Sequence, residues 1–147
     1  MQEKKKLEEL EKEGNFIFHG SGLVVEEFEP RQAHNYVDGK NIPDDKPAIF
    51  ASPFADYAIF MALINKVNCP EGFRASSGFE NGTLTFRATQ DTLNQLSDES
   101  KGYVYVFEKK NFKERSGSEW LSYKSQKPVM TISVVRSDFS QPIDIIK

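Results

Sequence analysis

A chain of 147 residues has the size of one domain with one core, and a formal net charge of −3 excludes the strongly basic footprint of a general nucleic-acid binder. Hydrophobic residues make up 38% and charged residues 28%, with twelve Phe, so a disordered chain is excluded as well. The single cysteine, Cys69, excludes an internal disulfide and a thiolate metal centre, and it reads as a small, partly buried residue.

No apolar run approaches the ~20 residues of a membrane-spanning helix. The Lys-rich start lacks the apolar stretch of a secretory signal. The cytoplasm is therefore the expected location, without membrane contact.

Residues 3–13 have the pattern of a charged helix, with Leu7 and Leu10 three apart and Lys/Glu pairs at helical spacing. The apolar stripe is thin, which predicts a mostly solvated leader that can still pack on the domain edge or meet a partner. Gly14 ends it. The expected organisation is a charged helix over 1–14 followed by a domain over 15–147.

Phe16-Ile17-Phe18-His19 reads as a short strand, broken at Gly20-Ser21-Gly22. Residues 23–47, punctuated by Pro30, Gly39, Pro43 and Pro47, read as one irregular segment. There His34 and Tyr36 are expected as loop residues and Asp44-Asp45 as a solvated turn. Ala48-Ile49-Phe50-Ala51 is a second strand. Ser52 as N-cap and Pro53 as first helical residue predict a helix to about Asn65, with Ala55, Ile59 and Ala62 facing a core.

Residues 68–82, with Pro70, Gly72, Gly78 and Gly82, read as a loop. Residues 83–88 alternate as a strand, and Thr89 caps a short helix to about Leu96. Tyr103 to Phe107 is the clearest strand. A polar loop over 109–118 leads to strands at 120–123 and 129–135, and an edge strand is expected after Pro142. This order is not the regular strand–helix alternation of a parallel doubly wound sheet. It predicts an α+β fold with mainly antiparallel strands and a few helices.

Phosphate-loop, dinucleotide-fingerprint and nucleophile-elbow signatures are absent from the sequence, and His19 and His34 lack zinc-site spacing. No metal is therefore expected. What remains is a histidine at a strand end followed by Gly-Ser, and Glu119 at the head of a late strand. Either residue by itself reads more simply as structural or exposed. Beside Trp120, Tyr103 and Tyr105, however, a carboxylate could be aimed at a developing cation.

Together, Phe18-His19-Gly20-Ser21, then Ala48-Ile49-Phe50-Ala51-Ser52 entering a helix, then Ser118-Glu119-Trp120-Leu121-Ser122-Tyr123, resemble the ADP-ribosyltransferase superfamily. The closest branch is that of the poly(ADP-ribose) polymerases and diphtheria toxin. The resemblance spans about 16–135 and implies split, mainly antiparallel sheets and NAD as substrate. It implies that His19 contacts a ribose hydroxyl, that the Gly20 backbone holds the nicotinamide carboxamide, that Ser21 belongs to the same motif, and that Glu119 is the catalytic glutamate. Phe60 falls at the family's second stacking tyrosine and Tyr57 at its helix serine. Ile49 falls at its first tyrosine, and a one-step slip would put Phe50 there instead. The related RNA 2′-phosphotransferases also use NAD, but their extra arginine-rich motifs are not evident here, and Arg31 is a candidate phosphate contact or an ordinary surface arginine.

The implied reaction is transfer of ADP-ribose to an acceptor of unknown kind, whether protein, nucleic acid or small molecule, or else NAD hydrolysis. Two alternatives stay open. One is an inactive module of this fold that binds a nucleotide, an ADP-ribosylated group or a protein. The other is an interaction protein that meets its partner through residues 1–13.

Overall fold

The computed structural model describes residues 2–31, 34–37, 40–43 and 47–147, and side chains outside 32–46. Asp44 and Asp45 lie outside the described residues. The class is α+β, as composition and element order predict. The described residues form three three-stranded sheets, one two-stranded ribbon and three α-helices.

The central sheet joins β1 (Phe16–Ser21) to β7 (Lys101–Glu108) and β7 to β10 (Met130–Val135), all antiparallel. Alternation sends Phe18, Val104 and Val106 to one face, and Ile17, Tyr105 and Phe107 to the other, so each face founds its own core. Beside it, β4 (Ile49–Ala51) pairs with β9 (Trp120–Ser122), which in turn pairs with β8 (Lys113–Glu114). One bridge ties the two sheets. Phe18 N–H donates to Ser52 O at 2.8 Å, and Ser52 N–H donates to Phe18 O at 2.7 Å.

Ser52 is therefore the end of a strand pairing and not the helix cap predicted for it. The helix α2 (Ala55–Leu63) begins three residues later, with Phe54 at its N-cap and no side-chain cap from that residue. Its first amide is satisfied from elsewhere, because Ala55 N–H donates to the Glu11 carboxylate at 2.6 Å. Glu11 belongs to α1 (Gln2–Glu13), the charged leader. Burial pushes the Glu11 carboxyl above its ordinary range, against the lowering pull of the Ala55 amide and together with the charges of Asp56 and Glu8.

The leader is mostly solvated, as expected, and docks on the domain edge through its two leucines. Leu7 is 0% and Leu10 5% exposed, both within the α2 core. A two-residue stripe suffices because each leucine is inserted whole, a gain of about 1.5–3 kcal/mol apiece. Lys4 adds a bond to Ser140 Oγ at 2.7 Å and lies 3.9 Å from Asp56.

α2 lies unusually close to the central sheet because two strand positions carry no side chain. A Cβ on Gly20 would stand 1.9 Å from Ala58 O, and one on Gly102 would stand 1.8 Å from Ala62 O. Close approach at Gly20 is thus made by a helix, on the face where a side chain would project.

Three segments read as irregular or loop contain strands, and one of them is 109–118, which holds β8. Within 23–47 lies a ribbon of β2 (His34–Val37) and β3 (Lys40–Pro43), so His34 and Tyr36 are strand residues. Within 68–82 lies β5 (Ala75–Glu80), paired antiparallel with β6 (Thr83–Thr89). Their two-residue turn is Asn81-Gly82, both at positive φ (52° and 77°) as a type I′ hairpin requires. Thr89 caps α3 (Gln90–Asn94) as predicted, accepting from Thr92 N–H at 3.3 Å. β11 (Asp144–Ile146) joins the edge of β6, in parallel. Cys69 is fully buried, deeper than the partly buried position expected for it. Among the described residues, no helix is long and apolar enough to cross a membrane.

Candidate active site

The pairings of β4 bring together three segments far apart in sequence. Ala51 faces Trp120 across β4–β9, and Ser52, the next residue, is bonded to Phe18 of β1. Glu119, one residue before β9, therefore stands at the same end as His19 and Gly20. These residues line one cleft of about 340 Å³, together with Phe50 and with Tyr57, Ala58 and Met61 of α2.

His19 is held by its Nδ1, which donates to Phe50 O at 2.6 Å. A carbonyl can only accept, so Nδ1 carries the proton and Nε2 is left as an acceptor in the neutral ring. Burial lowers the His19 pKa, and the Arg31 charge lowers it further, while the bond to Phe50 works the other way. Phe28 meets the ring edge-on at 4.9 Å. A neutral imidazole of fixed tautomer suits an acceptor for a hydroxyl.

Backbone alternation turns Gly20 N–H and C=O to the same side as those of Phe18, toward β4 and the cleft and away from β7. The tight packing of α2 on Gly20 and this outward-facing amide edge are thus separate properties of one residue. Tyr57 is held above its ordinary pKa, mainly by burial and also by the charge of Glu119. Its phenol stays protonated and can donate.

Glu119 closes a tight turn in which Arg115 N–H and Ser116 N–H both donate to its carbonyl, at 2.9 and 3.0 Å. Its carboxylate lies 3.5 Å from the Arg115 guanidinium, which also sits 5.9 Å from the Phe50 ring centre. None of the aromatic residues expected around Glu119 lines the cleft, since Tyr103, Tyr105 and Trp120 all belong to the core on the other face of the central sheet. Tyr105 is fully buried on the far face of the central sheet, where its hydroxyl donates to Leu23 O at 2.6 Å. Tyr57 takes the place beside Glu119 instead.

A second cavity of about 320 Å³ lies against the first, with His19 and Phe50 as their shared wall. Ser21, Arg31 and Ile49 line it. Ser21 Oγ is occupied locally, accepting from Leu23 N–H at 3.1 Å.

No known family, curated protein or solved structure matches this chain. Among the described residues, no group of three or more His, Cys, Asp or Glu could hold a metal ion.

Of the residues singled out from sequence, His19, Gly20, Phe50, Tyr57 and Glu119 share the first cleft, and Ser21, Arg31 and Ile49 the second. Phe60 shares neither. It is 2% exposed and packs against Phe86 and Phe139, with ring centres at 5.0 and 5.3 Å. Its neighbour Met61, about 100° further round the helix, reaches the cleft instead. Met61 carries no motif, and only the position of Tyr57, four residues earlier on the same side of the helix, could have flagged it. Arg115 was legible only as one residue of the polar loop over 109–118.

Proposed function

We propose that the cleft binds NAD and that Glu119 supports cleavage of its nicotinamide–ribose bond, transferring ADP-ribose to an acceptor or to water. The observation that carries this reading is the convergence of His19, Gly20, Tyr57 and Glu119 on one cleft that adjoins a second cavity containing Arg31. Two adjoining chambers suit a dinucleotide, one for each half.

In this reading the family spacing is best matched after the one-step slip. Phe50 then takes the first tyrosine position, and Ala58 and Met61 take the two helix positions, all three lining the cleft. Phe50 and Met61 grip the nicotinamide ring, and the Gly20 backbone meets its carboxamide. Nicotinamide leaves with the electron pair of the C–N bond, and positive charge spreads over the ribose ring oxygen and anomeric carbon. The Glu119 carboxylate hydrogen-bonds the ribose 2-hydroxyl and stabilises that charge, while His19 Nε2 accepts from a ribose hydroxyl. The acceptor attacks the anomeric carbon and loses its proton. Positioning supplies much of the acceleration.

Nicotinamide release from NAD, measured beside Glu119→Ala at matched folding, tests this directly. The variant is expected to lose at least ~100-fold in turnover. Equal turnover by both proteins would rule the mechanism out. A second reading, a module that binds without turnover, is favoured by the Arg115 guanidinium 3.5 Å from Glu119, which already engages the carboxylate. Saturable NAD binding with no release would select it.

A further inference from the structure

Gly117 has no need of its glycine for backbone reasons, since its φ is not positive. What a side chain there would meet is the Phe79 ring, 2.8 Å from the Cβ position. Phe79 stands near the tip of the β5–β6 hairpin, 36% exposed, and stacks on Phe54 with ring centres 5.0 Å apart and planes 28° from parallel. Phe54 is the N-cap of α2, the helix that carries Tyr57 and Met61 to the cleft. Gly117 belongs to the turn in which Arg115 and Ser116 bond the Glu119 carbonyl, and Glu119 N–H donates to Ser116 O at 3.4 Å. One ring thus touches both the wall that carries Glu119 and the wall that carries Tyr57.

We propose that Phe79 is a positioning residue that clamps the Glu119 turn to the start of α2 and so fixes the width of the cleft between Glu119 and the helix. This rests on the reading of the cleft as an NAD-cleaving site. The hairpin is otherwise remote from that chemistry, and an aromatic ring held partly in solvent between a glycine and another Phe is explained by the contact it makes. A displacement of about 1 Å at a reacting group costs on the order of 100-fold in rate, so a loosened clamp should act on kcat more than on KM.

The chain's single tryptophan, Trp120, follows Glu119 directly and reports on that turn without any substrate. Phe79→Ala is expected to raise acrylamide quenching of Trp120 and to lower kcat for NAD cleavage roughly tenfold or more, with KM changed less. Phe79→Tyr, which keeps the stacking ring, should restore both. Gly117→Ala, which pushes on the same ring from the other side, should reproduce the loss if Phe79→Ala fails to fold. Wild-type quenching in folded Phe79→Ala or Gly117→Ala would overturn the clamp. If the wild-type protein releases no nicotinamide, the reading of the site fails, and the quenching comparison still decides whether Phe79 holds the turn.

Discussion

Phe60 and Met61 are consecutive residues of one helix, yet they belong to different parts of the molecule. Phe60 is enclosed by Phe86 and Phe139, and Met61 is 44% exposed on the cleft. The sequence resemblance pointed to the first, whereas the second lines the cleft. A motif can thus point to a helix while leaving its rotation open by one residue. On a helix, one residue is the difference between core and cleft.

Truncating the two side chains in turn should give opposite profiles. Phe60→Ala is expected to cost about 3–5 kcal/mol of stability in urea denaturation while leaving ligand binding per folded molecule unchanged. Met61→Ala should cost less than about 0.5 kcal/mol yet weaken NAD binding measured by Trp120 fluorescence. The reverse pattern would return Phe60 to the site.

A smaller effect is expected where the leader meets the same helix. Glu11→Ala removes the acceptor of Ala55 N–H and should cost about 1 kcal/mol. Thermal melts of this variant would show whether the leader supports the helix start beyond inserting Leu7 and Leu10. A result indistinguishable from wild type would mean that the leucines do all of it.

The smallest effect expected is a slope with pH. The folded chain holds the His19 pKa below its ordinary value. As pH falls through the unfolded value, near ~6.5, the unfolded chain takes the proton first and stability drops. The loss is complete once pH lies below the folded pKa. Melting temperatures across this window should fall more in wild type than in His19→Gln, since the variant lacks the titrating ring. Parallel slopes would show that His19 is not buried as described.

The strands at 16–21, 101–108 and 130–135 were legible because apolar residues alternate or run continuously between clear breaks. The β5–β6 hairpin was legible too, in Asn81-Gly82, but a cluster of glycines and a proline around it outweighed that dipeptide. The ribbon within 23–47 was hidden by its prolines. Ser52-Pro53 is a sound local signal for a helix start, and it lost to a long-range pairing with Phe18 that no local pattern reveals. The same limit governed the site. His19, Gly20 and Glu119 were legible from short motifs, whereas Met61, Arg115 and Phe79 depend on helix rotation and on contacts across the fold.

Gly20 and Gly102 place helix backbone directly against strand backbone, with no layer of side chains between. A side-chain layer can yield to a new ligand by changing rotamers, but main chain against main chain has no such reserve. The floor of this cleft is therefore a rigid bearing, and adaptation to different ligands must come from its rim, where Met61, Arg115 and the turn before Glu119 have side chains or loops to move.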